Sequence, residues 1–126
     1  MLIRDIKVGD VVSFQSLDAG KPKRHICISP CRFLFINTEP SSGAIPIKKA
    51  EYPRLLDYDS FIGITYLVDC DPEEEIRGAL IRAHLTVKTL REIVNAIQSS
   101  RNISIRNKRL ISGHLATKIA ELESTA

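Results

Sequence analysis

A chain of 126 residues with 44% hydrophobic and 26% charged side chains has the size and composition of one globular domain. This excludes a disordered polyelectrolyte and a scaffold that depends on disulfides or metal for its stability. A net charge of +3 excludes a strongly cationic nucleic-acid tail but allows a locally basic face.

The opening Met1-Leu2-Ile3-Arg4-Asp5-Ile6 lacks the apolar core of a signal peptide, and no stretch approaches bilayer length. Cys27, Cys31 and Cys70 are odd in number and irregular in spacing, unlike a secreted disulfide framework. The expected setting is therefore the reducing cytoplasm, with no membrane association.

Val8-Gly9-Asp10 predicts a turn leading into a strand from about Asp10 through Val11-Val12-Ser13-Phe14. Ser16 to Lys23 is a polar connection. Arg24-His25-Ile26-Cys27-Ile28-Ser29 then alternates polar and apolar residues, the period of a half-buried strand ended by Pro30. Phe33 to Thr38 is more continuously apolar and predicts a central strand, in a hairpin with its predecessor. After the break at Glu39-Pro40-Ser41-Ser42-Gly43, Ile45 to Lys48 reads as a short edge strand and Tyr52 to Tyr58 as a loop or single helical turn. Ser60 to Val68 reads as one long strand.

Beyond Asp69 the pattern changes. Pro72 with Glu73-Glu74-Glu75 predicts the first turn of a helix kept short by Gly78. Thr86 is a candidate N-cap for an amphipathic helix whose stripe is Val87, Leu90, Ile93, Val94 and Ile97, ending at Ser99-Ser100. A last helix is expected from about Asn107 to Glu121, on Leu110, Ile111, Leu115, Ile119 and Leu122, weakened by Gly113. With no internal repeat or dividing linker, residues 1–126 form a single α+β domain: a small strand-rich barrel over 1–70, then a mainly helical part over 71–126 that covers it.

Lys21-Pro22-Lys23-Arg24-His25 places cations and an imidazole at a strand mouth, a composition suited to gripping phosphate and moving protons near neutral pH. The competing reading is a solvated loop running into an edge strand. Asn37-Thr38 and Ser60 put short polar side chains at strand ends, either around a cleft or as ordinary turn chemistry. Cys27 and Cys31 lie near His25, but Cys70, His84 and His114 lack the paired spacing of a zinc site, so neither a metal nor another cofactor is expected. Cys27 is assigned to the core, and the isolated His84 and His114 receive no catalytic role. Arg101, Arg106, Lys108 and Arg109 form a second basic group, read as a phosphate or acidic-partner site or as a solvated helix end. No P-loop, dinucleotide-binding glycine pattern, hydrolase elbow or zincin motif occurs.

The order Val8-Gly9-Asp10-Val11-Val12, polar loop, Arg24-His25-Ile26-Cys27-Ile28-Ser29, then Phe33 to Thr38, resembles the PemK/MazF-like toxin family. Its members are small SH3-like barrels of toxin–antitoxin systems that cut RNA. The resemblance spans roughly residues 6 to 100, with Ser60-Phe61-Ile62 as a later barrel strand and Thr86-Val87-Lys88 opening the helix. It implies a metal-independent endoribonuclease acting on single-stranded RNA. In that reading Arg24 and Thr38 stabilise the scissile phosphate, His25 is a candidate proton carrier, and Lys21, Lys23, Arg24 and Ser60 contact the nucleic acid. It further implies a homodimer and an antitoxin protein as partner. Many members carry an Arg or an acid late in the strand that begins here at Ser60, where this sequence reads Ile64-Thr65-Tyr66-Leu67-Val68. The alternative is therefore a non-catalytic interaction module binding RNA or a protein. The tail from Arg101 to Ala126 exceeds the family core and is read as a partner-binding or dimer-stabilising addition.

Overall fold

The computed structural model describes residues 1–15 and 22–125. Its strands are β1 (Asp10–Gln15), β2 (Pro22–Ser29), β3 (Arg32–Asn37), β4 (Ile45–Ile47), β5 (Ser60–Ile62), β6 (Val68–Asp69) and β7 (Leu80–His84), followed by helices α1 (Val87–Ser99) and α2 (Ile105–Ser124). The strands pair antiparallel in the order β4-β5-β3-β2-β1-β7, with β6 on β3 outside that path. This is an α+β domain in which the sheet curls into a half-barrel.

Alternation along the central strands builds two apolar layers. Val11 pairs with Ile26 and Ile26 with Leu34. These side chains lie with Ile28 on one face and join Leu90, Ile93, Ile97, Ile111 and Leu115 of the helices in the larger core. Their neighbours Val12, Phe14, Cys27 and Phe33 point the other way, into a second core closed by Ile3, Ile6, Val68, Ile76 and Ala79. Burying both faces makes β2 more than the half-buried strand its sequence predicts, since His25 to Ser29 are all buried. The N-terminal segment supplies that second cover: the Ile3 N–H donates to the Glu74 carbonyl at 3.0 Å and the Ile76 N–H to the Met1 carbonyl at 2.9 Å.

Gly9, with φ +91°, is held between two elements, its N–H on the Cys27 carbonyl at 2.8 Å and its carbonyl accepting from Leu85 at 2.9 Å. A left-handed residue at this point turns the chain into β1 without a Cβ penalty. Thr86 caps α1 as its sequence suggests, Oγ1 accepting from the Thr89 N–H at 3.3 Å. The cap is reinforced by buried Tyr52, whose hydroxyl accepts from the Thr86 N–H at 3.0 Å and lies 2.7 Å from Thr89 Oγ1.

Three expectations are corrected. Ser60 to Val68 is not one strand: β5 and β6 each take part of the free edge of β3, Ile36 facing Ile62 and Phe33 facing Val68, and the backbone leaves the ladder between them. Pro72 and its acids form a turn rather than a helix, and the Leu2–Glu75 bridge next to them is extended backbone. The segment 80–84 is strand β7 against β1, so the sheet does not end at residue 70. The tail beyond Arg101 forms part of the core, since α2 packs on β2 and α1 and its Ile111 and Leu115 are fully buried.

Since Ile93 and Ile111 are both inaccessible, Ile111→Ala is expected to cost about as much as Ile93→Ala, roughly 2–5 kcal/mol each, with half-buried Val94→Ala costing less. Urea unfolding followed by circular dichroism measures this. An Ile111→Ala midpoint equal to wild type would make α2 dispensable.

Candidate functional site

At the end of the sheet where β1 finishes, β2 begins and β3 ends, the apolar layers stop and polar side chains take over. Ser13 faces Arg24 in the ladder, and antiparallel register sets Lys23 beside Asn37. Together with Ile36, Thr38, Glu39 and Arg82 of β7 they line an open cleft of about 680 Å³. Strand register is what brings these distant residues together, and rigid strands hold them at fixed spacing.

The cleft is cationic and only lightly neutralised from within. The Arg24 side chain is 33% exposed, and its one ion pair among the described residues is a 4.0 Å approach to Asp57, itself 80% exposed. So loose a surface pair contributes little and leaves the guanidinium available to an anion. Lys23 Nζ donates to Asn37 Oδ1 at 3.1 Å and stands 5.0 Å from the Phe35 ring centroid. Exposed Arg82 has no ion-pair partner among the described residues. Among the described residues Glu39 is the one acid on the wall. Such a concave surface, with hydroxyls of Ser13 and Thr38 among Lys23, Arg24 and Arg82, matches a phosphodiester in charge and hydrogen-bonding capacity.

Arg24, Lys23 and Thr38 are thus neighbours, but His25 is not among them. Strand alternation turns it to the face opposite Arg24, the one it shares with Lys23, and there it is fully buried, stacked on Phe14 at 3.8 Å between centroids and flanked by Phe33 and Phe35. Its Nδ1–H donates to the Lys23 carbonyl at 2.9 Å. Burial is the main force pulling its pKa from 6.5 to about 4, the Lys23 charge adding to it and the Lys23 carbonyl opposing. A neutral ring sealed among phenylalanines cannot exchange protons with a ligand in the cleft, so His25 is corrected from proton carrier to core aromatic.

Ser60 is buried, its Oγ donating to the Tyr58 carbonyl at 2.9 Å, which is turn chemistry outside the cleft wall. Lys21 lies outside the described residues. Cys27 is fully buried, and burial pushes its thiol up to about 12. Among the described residues no cluster of three or more His, Cys, Asp or Glu is arranged to hold a metal ion, and no helix is long and apolar enough to cross a membrane. The second basic group sits on α2 and the turn before it, Lys108 bonding to the Gln98 carbonyl at 3.1 Å, away from the cleft.

Arg82, Ser13 and Glu39 complete the site and do not stand out in the sequence. Arg82 gives no signal, because its segment does not read as a strand. Ser13 gives one, its position facing the basic strand mouth across the first hairpin.

No protein-family model, curated protein or solved structure matches this chain. The residues themselves therefore carry the functional argument.

A histidine held neutral in the fold also sets a pH dependence. Its folded pKa of about 4 lies below the unfolded 6.5, so as pH falls below 6.5 the unfolded chain gains a proton that the folded chain refuses. Stability is lost down to about pH 4, by at most roughly 3 kcal/mol. The urea midpoint of the wild type should fall between pH 7 and pH 4.5 more steeply than that of His25→Phe, whose ring cannot ionise. Equal slopes would show that His25 is not the titrating group.

Proposed function

We propose that the protein is a metal-independent endoribonuclease of the toxin type, with an SH3-like barrel that binds single-stranded RNA in the Lys23–Arg24–Arg82 cleft. The observation that carries this reading is the convergence of those cations with the Thr38 hydroxyl at one strand end. In the proposed reaction the ribose 2′-oxygen attacks phosphorus, the new O–P bond forms, and the P–O5′ bond breaks to leave a 2′,3′-cyclic phosphate and a 5′-hydroxyl. Glu39 accepts the proton from the 2′-hydroxyl, in the role that buried His25 cannot fill, and the Lys23 ammonium delivers one to the departing O5′. The Arg24 guanidinium and the Thr38 hydroxyl offset the charge that builds on the phosphoryl oxygens, where fixed donors lower a barrier most. The family resemblance adds a homodimer and a small antitoxin protein to this proposal, both testable by coexpression with the neighbouring reading frame and light scattering.

The direct test is incubation of the protein with mixed single-stranded RNA in chelator, with the fragment ends identified by mass. Cyclic or 3′-phosphate termini are expected. Arg24→Ala should slow cleavage roughly 100-fold or more without changing the thermal midpoint, because this side chain lies at the cleft and not in either core. Glu39→Gln should slow it by about 100-fold or more as well. RNA that is bound but stays intact would instead favour a non-catalytic RNA-binding module built on the same cleft.

A further inference from the structure

Where β5 and β6 leave the ladder of β3, the chain carries Tyr66 out to the surface with about half of it, 53%, exposed. Its ring is parallel to that of Phe35 to within 2°, with 6.3 Å between centroids. Phe35 in turn carries the Lys23 ammonium over its ring, and that ammonium is bonded to Asn37 Oδ1. Lys23 and Asn37 are themselves cleft residues. A continuous series of contacts therefore runs from a half-exposed aromatic ring into the cationic cleft. Gly63 permits this close approach, since its N–H bonds to the Phe35 carbonyl at 3.0 Å and a Cβ there would stand 3.2 Å from Asn37 Nδ2.

From this geometry we infer that Tyr66 is a stacking platform for a base of a single-stranded nucleic acid whose backbone phosphate lies in the Arg24 cleft. The inference rests on the nucleic-acid reading above and names the side chain that selects unpaired strands. A positive groove that follows the backbone, flanked by an exposed aromatic face, is the combination by which proteins hold single strands irrespective of sequence. In a duplex each base face is covered by its neighbours, so the platform discriminates against paired substrates. Phe35 backs the Tyr66 ring, which lowers the entropy lost when a base settles on it.

The protein contains no tryptophan, so Tyr66→Trp gives a single fluorescent reporter at the platform. The ligand is a 2′-O-methylated, uncleavable RNA of about ten nucleotides, within the span of one small barrel, added at low salt to wild type and variants. Quenching of the indole fluorescence of Tyr66→Trp is expected, and Tyr66→Ala should weaken binding roughly ten- to a hundredfold while Tyr66→Phe restores it. Melting temperatures of Tyr66→Ala and wild type should agree. If wild type binds, Arg24→Ala weakens binding and Tyr66→Ala does not, the platform is overturned and the cleft reading stands. Loss on Tyr66→Ala with no effect of Arg24→Ala would keep the platform and sink the cleft reading. Absence of binding by wild type, or equal affinity for the duplex form of the same sequence, overturns the platform.

Discussion

Strand β2 has a hydrogen-bonded neighbour on each edge and a packed layer on each face. Its backbone N–H and C=O groups are paired with β1 and β3, and its side chains alternate between the helix-covered core and the N-terminal core. A strand so placed bears a desolvation penalty for every charge or unpaired polar group along its buried stretch, and it bears one at His25 Nε2 and at Ser29 Oγ, which are buried without a hydrogen-bond partner. This explains why His25 is neutral and ring-stacked and why Cys27 stays a thiol. The constraint relaxes at the start of the strand, where Lys23 and Arg24 are only half-buried.

The same constraint concentrates function at one end of the sheet. Cations are excluded from the interior of β2, so they gather with the polar ends of β1, β3 and β7. Among the described residues the wall sets Lys23, Arg24 and Arg82 against one carboxylate, with Asp57 held only loosely, so cations gather here although the net charge of the whole chain is just +3. Local arrangement, more than total charge, decides which ligand such a surface attracts.

At the other end of the β1–β7 ladder another polar pair is fixed by register. Asp10 is almost fully buried and its Oδ1 lies 2.7 Å from His84 Nδ1, while Oδ2 accepts from the Lys7 N–H at 3.0 Å. The carboxylate joins the turn before β1 to the end of β7, so the edge strand is secured at the residue that precedes Leu85 and α1. This interaction helps to explain how a strand with exposed Leu80, Ile81 and Arg82 stays in the sheet.

What the sequence determined by itself is local. Period-two alternation marked β2, the β-branched pair after Gly9-Asp10 marked β1, a continuous apolar run marked β3, the stripe through Leu90, Ile93 and Ile97 marked α1, Thr86 marked its cap, and the basic strand mouth with Asn37-Thr38 marked most of the cleft. Each of these signals is contained within a few residues of the element it specifies. The tertiary structure decided the rest. Pro72 and its acids match a helix start, yet the segment forms a turn whose Leu2–Glu75 bridge comes from pairing about seventy residues apart in the chain. Leu80 to His84 becomes a strand because β1 offers an unpaired edge, a long-range ladder that local propensity does not encode. His25 reads as a proton carrier from its cationic neighbours alone. That it lies opposite Arg24 follows from strand alternation alone, but that this face too is buried depends on how the N-terminal segment closes over the sheet, and this converts an apparent catalytic group into part of the core.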